Sequence, residues 1–216
     1  MTERVPPNSL LVAIPSIGMV LSEAYESMLL AFSRGRAYWE RRYPLATFAL
    51  RVVHRKPADN ARNVLAGTAI EGGFDWIWWV DDDMEIPDDA LERLHGRDAV
   101  MASGLYCLKE LPVRPLVFRH ASPPEGGPEA WYRLELEPSQ CHGQAWVDAT
   151  GLGCFLMKRE PLEKVYRATD GEPFRWSMET TDDIHFFKRT HELGYKILMD
   201  MDLKLGHWGH HRWDVS

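Results

Sequence analysis

Three consecutive aspartates directly follow a short, strongly apolar run, and this junction constrains the fold more than any other feature of the chain. The apolar run spans residues 75–80 (DWIWWV), and the acids are Asp81, Asp82 and Asp83. An apolar run of this length predicts a strand that is buried on both faces of a sheet. Open α/β sheets bind ligands beyond the carboxyl ends of their strands, so the aspartates are predicted to lie at a ligand site.

The aspartate cluster also predicts a cation. Three adjacent carboxylates repel one another unless a positive charge neutralises them. Oxygen ligands suit Mg²⁺ or Mn²⁺, which commonly bridge phosphate oxygens as well. The cluster therefore predicts a divalent metal ion together with a phosphorylated substrate. A solvated acidic turn is the alternative interpretation, but such a turn does not require so apolar a lead-in.

Composition excludes several other classes of protein. The chain has 216 residues, of which 45% are hydrophobic and 26% are charged, and this predicts one folded domain over residues 1–216. The net charge of −7 argues against a broad surface for a nucleic-acid polymer. We find no signal-peptide pattern and no apolar stretch of transmembrane length. Cys107, Cys141 and Cys154 are odd in number and widely spaced. They predict inert thiols in a reducing, cytoplasmic setting.

Strand and helix patterns alternate along the first half of the chain. Strands are predicted at residues 10–14 (ended by Pro15), 47–54, 76–80 and 99–106. Helices are predicted at residues 22–40, from 59 or 60 to about 70, and from 87 onward. This alternation favours an α/β fold with a mostly parallel sheet flanked by helices. It would form a first half over about residues 10–108.

The pattern changes over the second half, about residues 109–216. Strands are predicted at residues 117–120, 131–137 and 196–205, and a helix at 183–193. A turn-rich loop over 110–130 is typical of a functional lid or an exposed hairpin tip. We therefore expect a smaller β region on this side of the domain.

Four further positions carry chemistry. Asp182 and Asp183 stand at a predicted helix start, where a carboxylate can cap backbone N–H groups or act as a general base. His207 follows a predicted strand and can complete a metal site, whereas His210 and His211 have weaker claims. Arg62 can grip phosphate or ribose oxygens with its forked donors.

Taken in order, these pieces resemble a GT-A-fold glycosyltransferase of the family 2 type, over most of residues 10–207. The motifs that carry the resemblance are VAIPS at 12–16, ARN at 61–63, WVDDD at 79–83, PD at 87–88, TGLGC at 150–154 and the acid pair at 182–183.

The resemblance implies an inverting transferase that uses a nucleotide-sugar donor of the UDP or GDP type, a saccharide or other hydroxyl acceptor, and Mn²⁺ or Mg²⁺. Asp81 would contact the ribose or the metal, while Asp83 and His207 would ligate the metal. Asp183 would be the catalytic base. Asp182 stands where the family commonly has Glu, which leaves open which of the two acids is the base. The residues expected to border the donor are Pro15, Ser16, Arg62, Asp81 and Asp82.

Two other functions stay open. A nucleotidyltransferase would make a nucleotide sugar instead of using one, but it usually needs a basic, glycine-rich loop after the first strand, and residues 15–18 contain no Lys or Arg. A non-catalytic carbohydrate-binding module would stack sugars on some of the nine tryptophans and hold Ca²⁺ at the acids. Acceptor contacts are expected from the loops at residues 110–130 and 167–178. The candidates, to which we assign no role, are Glu125, Arg175, Trp176 and Glu179.

Overall fold

The computed structural model describes residues 4–18, 20–122, 126–209 and 211–215. The helices are α1 (Ser22–Arg42), α2 (Ala58–Gly72), α3 (Ala90–Gly96), α4 (Arg159–Ala168) and α5 (Asp182–Glu192). The strands are β1 (Leu10–Ser16), β2 (Phe48–His54), β3 (Trp76–Val80), β4 (Met84–Glu85), β5 (Met101–Leu105), β6 (Val117–Ala121), β7 (Ala130–Arg133), β8 (Gln144–Val147), β9 (Ala149–Thr150), β10 (Cys154–Lys158), β11 (Ile197–Lys204), β12 (Gly206–Trp208) and β13 (Arg212–Trp213). None of the helices in the described ranges is long and apolar enough to cross a membrane.

Seven strands form the main sheet in the order β2-β1-β3-β10-β5-β11-β8. The strands β2, β1, β3, β5 and β11 point in one direction, while β10 and β8 run antiparallel to their neighbours. The predicted α/β fold with a large, mostly parallel sheet is therefore confirmed. The reversed strand β10, which lies between β3 and β5, was not predicted.

The apolar run ahead of the aspartates forms β3, as predicted. Alternate side chains of β3 point to opposite faces of the sheet. Ile77 and Trp79 join one core with side chains of α2, α4 and α5. Trp78 and Val80 join the second core, with side chains of α1 and α3. A strand covered by helices on both faces must be apolar at every position, which explains why the run shows no polar alternation.

The first strand is longer than predicted. We expected it to end at Pro15, but β1 continues through Ser16, and both residues pair with the end of β2. The pairing of β1 with β3 stops at Ala13. Because β1 has only one neighbour beyond that point, the missing N–H of proline is tolerated there. The extension carries Ser16 to the same edge of the sheet as the aspartates.

Two three-stranded sheets, β13-β12-β4 and β7-β6-β9, lie beside the main sheet. They confirm a smaller β region, which takes most of its strands from the second half of the chain. In the first of them β12 pairs with β4, the strand that follows the aspartates, and the N–H of Trp208 donates to the carbonyl oxygen of Asp83 at 2.8 Å. A strand near the end of the chain is thus fixed against the acidic cluster.

Two glycines make room for a buried tyrosine beside this edge. The N–H of Gly153 donates to Tyr106 Oη at 3.2 Å. A Cβ atom built on Gly151 would lie 1.8 Å from the same oxygen, a separation that no side chain can tolerate. Close packing against Tyr106 therefore requires glycine at position 151.

We predict that Gly151→Ala destabilises the fold by about 2 kcal/mol, because overpacking a filled interior forces neighbouring atoms to shift. Gly96→Ala is the matched control, since a Cβ atom there meets nothing within 4 Å. Urea unfolding of both variants measures the difference. Equal free energies of unfolding for the two variants would contradict the role assigned to Gly151.

Candidate active site

A buried arginine joins the two acidic motifs at the carboxyl edge of the main sheet. From α2, the Nη2 atom of Arg62 donates to both carboxylate oxygens of Asp81, at 2.8 and 3.0 Å. Its Nη1 atom donates to Asp182 Oδ2 at the start of α5, at 2.6 Å. Arg62 and Asp182 are only 6% and 5% exposed. The structure thus brings together three of the predicted site residues, although they lie up to 120 positions apart in sequence.

The acidic neighbours of Arg62 keep its guanidinium group protonated. Burial alone lowers the pKa of Arg62, but the nearby carboxylates of Asp81, Asp182 and Asp183 outweigh it and raise the pKa well above its ordinary value. We expected Arg62 to grip phosphate or ribose oxygens. In the structure both of its terminal nitrogens already donate to carboxylates, so its visible role is to hold β3, α2 and α5 together.

The adjacent residue on α2 ties down the segment that precedes α5. Asn63 Nδ2 donates to the carbonyl oxygen of Phe174 at 2.8 Å, and the N–H of Phe174 donates back to Asn63 Oδ1 at 2.9 Å. The phenyl ring of Phe174 packs edge-on against Trp79 of β3. This paired hydrogen bond fixes the approach to the second acidic motif, and sequence analysis assigned it no role.

The two acids at the start of α5 lie in different surroundings. Asp182 is bound to Arg62, as described above. Asp183 Oδ1 accepts hydrogen bonds from the hydroxyl of Thr181 and, at 2.8 Å, from the N–H of Ile184. Burial raises the pKa of Asp183, against the opposing effects of Arg62 and Thr181. Of the pair, Asp183 is the carboxylate free of a bound guanidinium, and a raised pKa suits a residue that must accept a proton.

Asp83 and His207 face each other across a short gap. The pairing of β12 with β4 places His207 Nε2 3.5 Å from Asp83 Oδ1. The Nδ1 atom of His207 lies 2.8 Å from the carbonyl oxygen of Cys107, which can only accept a hydrogen bond. Nδ1 therefore carries a proton, so Nε2 presents a lone pair toward Asp83 when the ring is neutral and an N–H when the ring is protonated.

This gap has the chemistry of a cation site. Asp83 Oδ1 is buried and has no hydrogen-bond partner among the described residues, and the same holds for Asp82 Oδ2. A histidine that donates its other ring N–H to a carbonyl is the usual arrangement of a metal-ligating imidazole. Asp83 and His207 therefore fit as two ligands of a divalent metal ion.

No group of three or more His, Cys, Asp and Glu side chains with the spacing of a metal site occurs among the described residues. Asp81 was expected to contact the ribose or the metal, and both of its oxygens accept from Arg62. Its assignment as a ligand stays a prediction. Mg²⁺ and similar ions often bind through one or two protein groups and take their remaining ligands from substrate phosphates and water.

A lysine that sequence analysis did not single out lies against the same carboxylate. From the segment between β5 and β6, Lys109 Nζ donates to Asp83 Oδ2. Burial would raise the pKa of Asp83, but His207 and Lys109 together hold it below its ordinary value. Asp83 thus stays ionised beside its partners, whereas burial raises the pKa of Asp82.

A cavity of about 200 Å³ opens beside the aspartates. Its lining residues are Pro15, Ser16, Ile17, Lys56, Ala58, Arg62, Asp81, Asp82 and Asp83. All five residues predicted to border the donor are therefore found together. Lys56, which follows β2, was missed because only the fold places it here.

Several other candidates lie outside the site or outside the described residues. Glu125 and His210 fall outside the described residues. Trp176 is 58% exposed, and its backbone N–H donates to Asp59 Oδ2 at 3.4 Å. Arg175 and Glu179 lie in the same segment ahead of α5, and His211 precedes β13. Their predicted links to the acceptor or the metal stay predictions.

The cysteines behave as inert thiols, as predicted. All three are free and buried. Burial raises the pKa of Cys107 to about 11 and that of Cys154 to about 12. At neutral pH both thiols stay protonated, which makes them poor nucleophiles.

Comparisons with known proteins support the fold and give no information on the function. No protein-family model matches the chain, and no curated protein sequence matches it. Among solved structures, the crystal structure of A197 from STIV is similar, with a TM-score of 0.60 and 21% sequence identity. The similarity covers 93% of this chain and 86% of A197. At this identity the likeness establishes a shared α/β fold and transfers no activity.

The environments of the two α5 acids predict opposite effects on stability. Asp182→Asn removes one of the carboxylates that neutralise buried Arg62 and should lower the free energy of unfolding by about 3 kcal/mol. Because burial raises the pKa of Asp183 in the folded state, ionisation of this residue lowers the stability of the fold as pH rises from 3.8 through the folded pKa. Asp183→Asn should therefore unfold at the same temperature as the parent or higher at pH 7. Thermal unfolding of both variants tests this, and equal losses in both would contradict it.

Proposed function

We propose that the chain is a divalent-metal-assisted, inverting glycosyltransferase of the GT-A type that transfers a sugar from a nucleotide-sugar donor to an acceptor hydroxyl. The observation that carries the proposal is the pairing of Arg62 with Asp81 and Asp182, which brings the two acidic motifs to one edge of the sheet. On one side lie Asp83 and His207, which fit a cation. On the other lies Asp183, a carboxylate with a raised pKa and no guanidinium bound to it.

The chemical step follows from the assignment of Asp183 as general base. The acceptor hydroxyl gives its proton to the Asp183 carboxylate, and the acceptor oxygen forms a bond to the anomeric carbon of the donor. The bond from that carbon to the diphosphate oxygen breaks, and its electron pair leaves with the diphosphate. Attack opposite to the leaving group inverts the anomeric configuration. Asp182, which is already paired with Arg62, takes no proton.

The leaving diphosphate needs positive charge beside it. Mn²⁺ or Mg²⁺, when bound, would act as a Lewis acid that stabilises the developing charge on the diphosphate. Asp83 and His207 would hold that ion. Lys56 supplies a further positive charge to the cavity, where Pro15 and Ser16 would border a nucleotide of the UDP or GDP type.

The alternatives receive less support from the same geometry. A sugar-binding module stacks sugars on grouped, exposed aromatic rings, but four of the nine tryptophans are buried in the core, and the two most exposed, Trp146 and Trp176, lie on separate segments. A nucleotidyltransferase usually needs a basic loop after the first strand, and residues 15–17, which line the cavity, include no Lys or Arg. Release of pyrophosphate from a nucleoside triphosphate and a sugar phosphate would favour the nucleotidyltransferase.

We expect transfer to depend on both ends of the site. Incubation with UDP- and GDP-sugars, Mn²⁺ and a panel of hydroxyl acceptors should release a nucleoside diphosphate, and EDTA should suppress this release. Asp83→Ala and Asp183→Asn should each lower turnover by at least about a hundredfold, since general-base catalysis alone supplies about 10²–10⁴-fold. Glu71→Gln, at an exposed position near the far end of α2, is the matched control and should keep the parent rate. Retained turnover in both site variants would contradict the proposal.

The base also predicts a pH dependence. Asp183 must be ionised to accept a proton, and burial raises its pKa above 3.8. The rate should therefore fall with decreasing pH at a value above that of an ordinary aspartate. Measurement of kcat/KM against pH tests this prediction, and a rate that stays constant down to pH 3.8 would contradict it.

A further inference from the structure

The short segment between β5 and β6 contacts or supplies both neighbours of Asp83, His207 and Lys109. The chain between β5 and β6 supplies the carbonyl oxygen of Cys107, which fixes the His207 ring, and two residues later it supplies Lys109. The aliphatic stem of Lys109 lies close to Gly209, where a Cβ atom would approach the Lys109 Cδ atom to 3.2 Å. Gly209 therefore packs against the stem of Lys109, whose ammonium group reaches Asp83.

The two oxygens of Asp83 are engaged by different groups. Lys109 holds Oδ2, while Oδ1 faces the Nε2 atom of His207 at 3.5 Å and is otherwise without a partner among the described residues. A divalent ion bound to Oδ1 and Nε2 would lie close to the ammonium group of Lys109. Two positive charges at such a separation repel each other, so both cannot bind Asp83 at full strength.

We propose that Lys109 is the resident cation of the donor site. It holds Asp83 while the site lacks metal, it competes with the metal for this carboxylate, and it moves onto the donor diphosphate when metal and donor bind together. This inference rests on the proposed function, because it takes the leaving group to be a diphosphate. A lysine suits the role because its charge is compact and its stem is flexible.

The competition makes metal and donor binding interdependent. Metal alone must displace Lys109 from Asp83, whereas metal with a nucleoside diphosphate offers the ammonium group new oxygens to pair with. Each ligand should therefore strengthen the binding of the other by the same factor. Binding of the metal without the donor would be weak, which would limit idle occupation of the site.

Direct binding measurements on the full chain test this inference without any assay of transfer. Mn²⁺ is titrated alone, and then in the presence of UDP and separately of GDP, by calorimetry and by the electron paramagnetic resonance signal of free Mn²⁺. Lys109→Met should bind Mn²⁺ alone up to about fivefold more tightly than the parent, the gain expected from loss of a partly exposed ion pair. It should also show a smaller strengthening by the nucleotide. Lys109→Gln repeats the test in case the methionine variant folds poorly.

Lys56→Met is the matched control, because Lys56 lines the same cavity but forms no ion pair with Asp83 among the described residues. It should weaken nucleotide binding and leave the affinity for Mn²⁺ alone unchanged. Unchanged, weaker or undetectable Mn²⁺ binding by both Lys109 variants would overturn the competition. If Lys109→Met gains Mn²⁺ affinity but no variant binds UDP or GDP, the competition stands, and the transfer of Lys109 to a diphosphate fails with the proposed donor.

Discussion

The buried guanidinium of Arg62 is the interaction on which the geometry of the site depends. It has to remain charged in a region from which water is largely excluded, and only carboxylates placed close to it make this possible. Asp81 comes from the end of β3 and Asp182 from the start of α5, so the position of each motif is tied to the other. The arrangement is costly to break, and this cost keeps two distant parts of the chain in register.

The central strand and its acids were predictable because they follow from local patterns. An apolar run without alternating polar residues predicts a strand covered on both faces, and β3 occupies the predicted residues. The start of α5 was predictable from its acids within one residue. The common direction of β1, β2, β3 and β5 followed from the alternation of strand and helix patterns in the first half of the chain.

Other features depend on contacts that no local pattern records. The direction and place of β10 are set by the sheet as a whole. An apolar stretch does not show whether its strand runs parallel or antiparallel to its neighbours. Lys56 and Lys109 reach the site from loops, where their sequence neighbourhood resembles that of any exposed lysine. Arg62 is the clearest example. No local pattern showed that its terminal nitrogens would pair with Asp81 and Asp182, although it does line the cavity predicted for the donor. Helix α4 was not predicted, although it buries Leu162 and Val165.

The place of β10 also has a consequence for synthesis of the chain. Residues 76–80 pair on one side with residues 154–158, which leave the ribosome much later. Until then β3 exposes an unpaired and very apolar edge, and such edges invite association with other nascent chains. The first hundred residues therefore cannot complete their own sheet, and we expect that fragment to need the rest of the chain, or a chaperone, to stay monomeric.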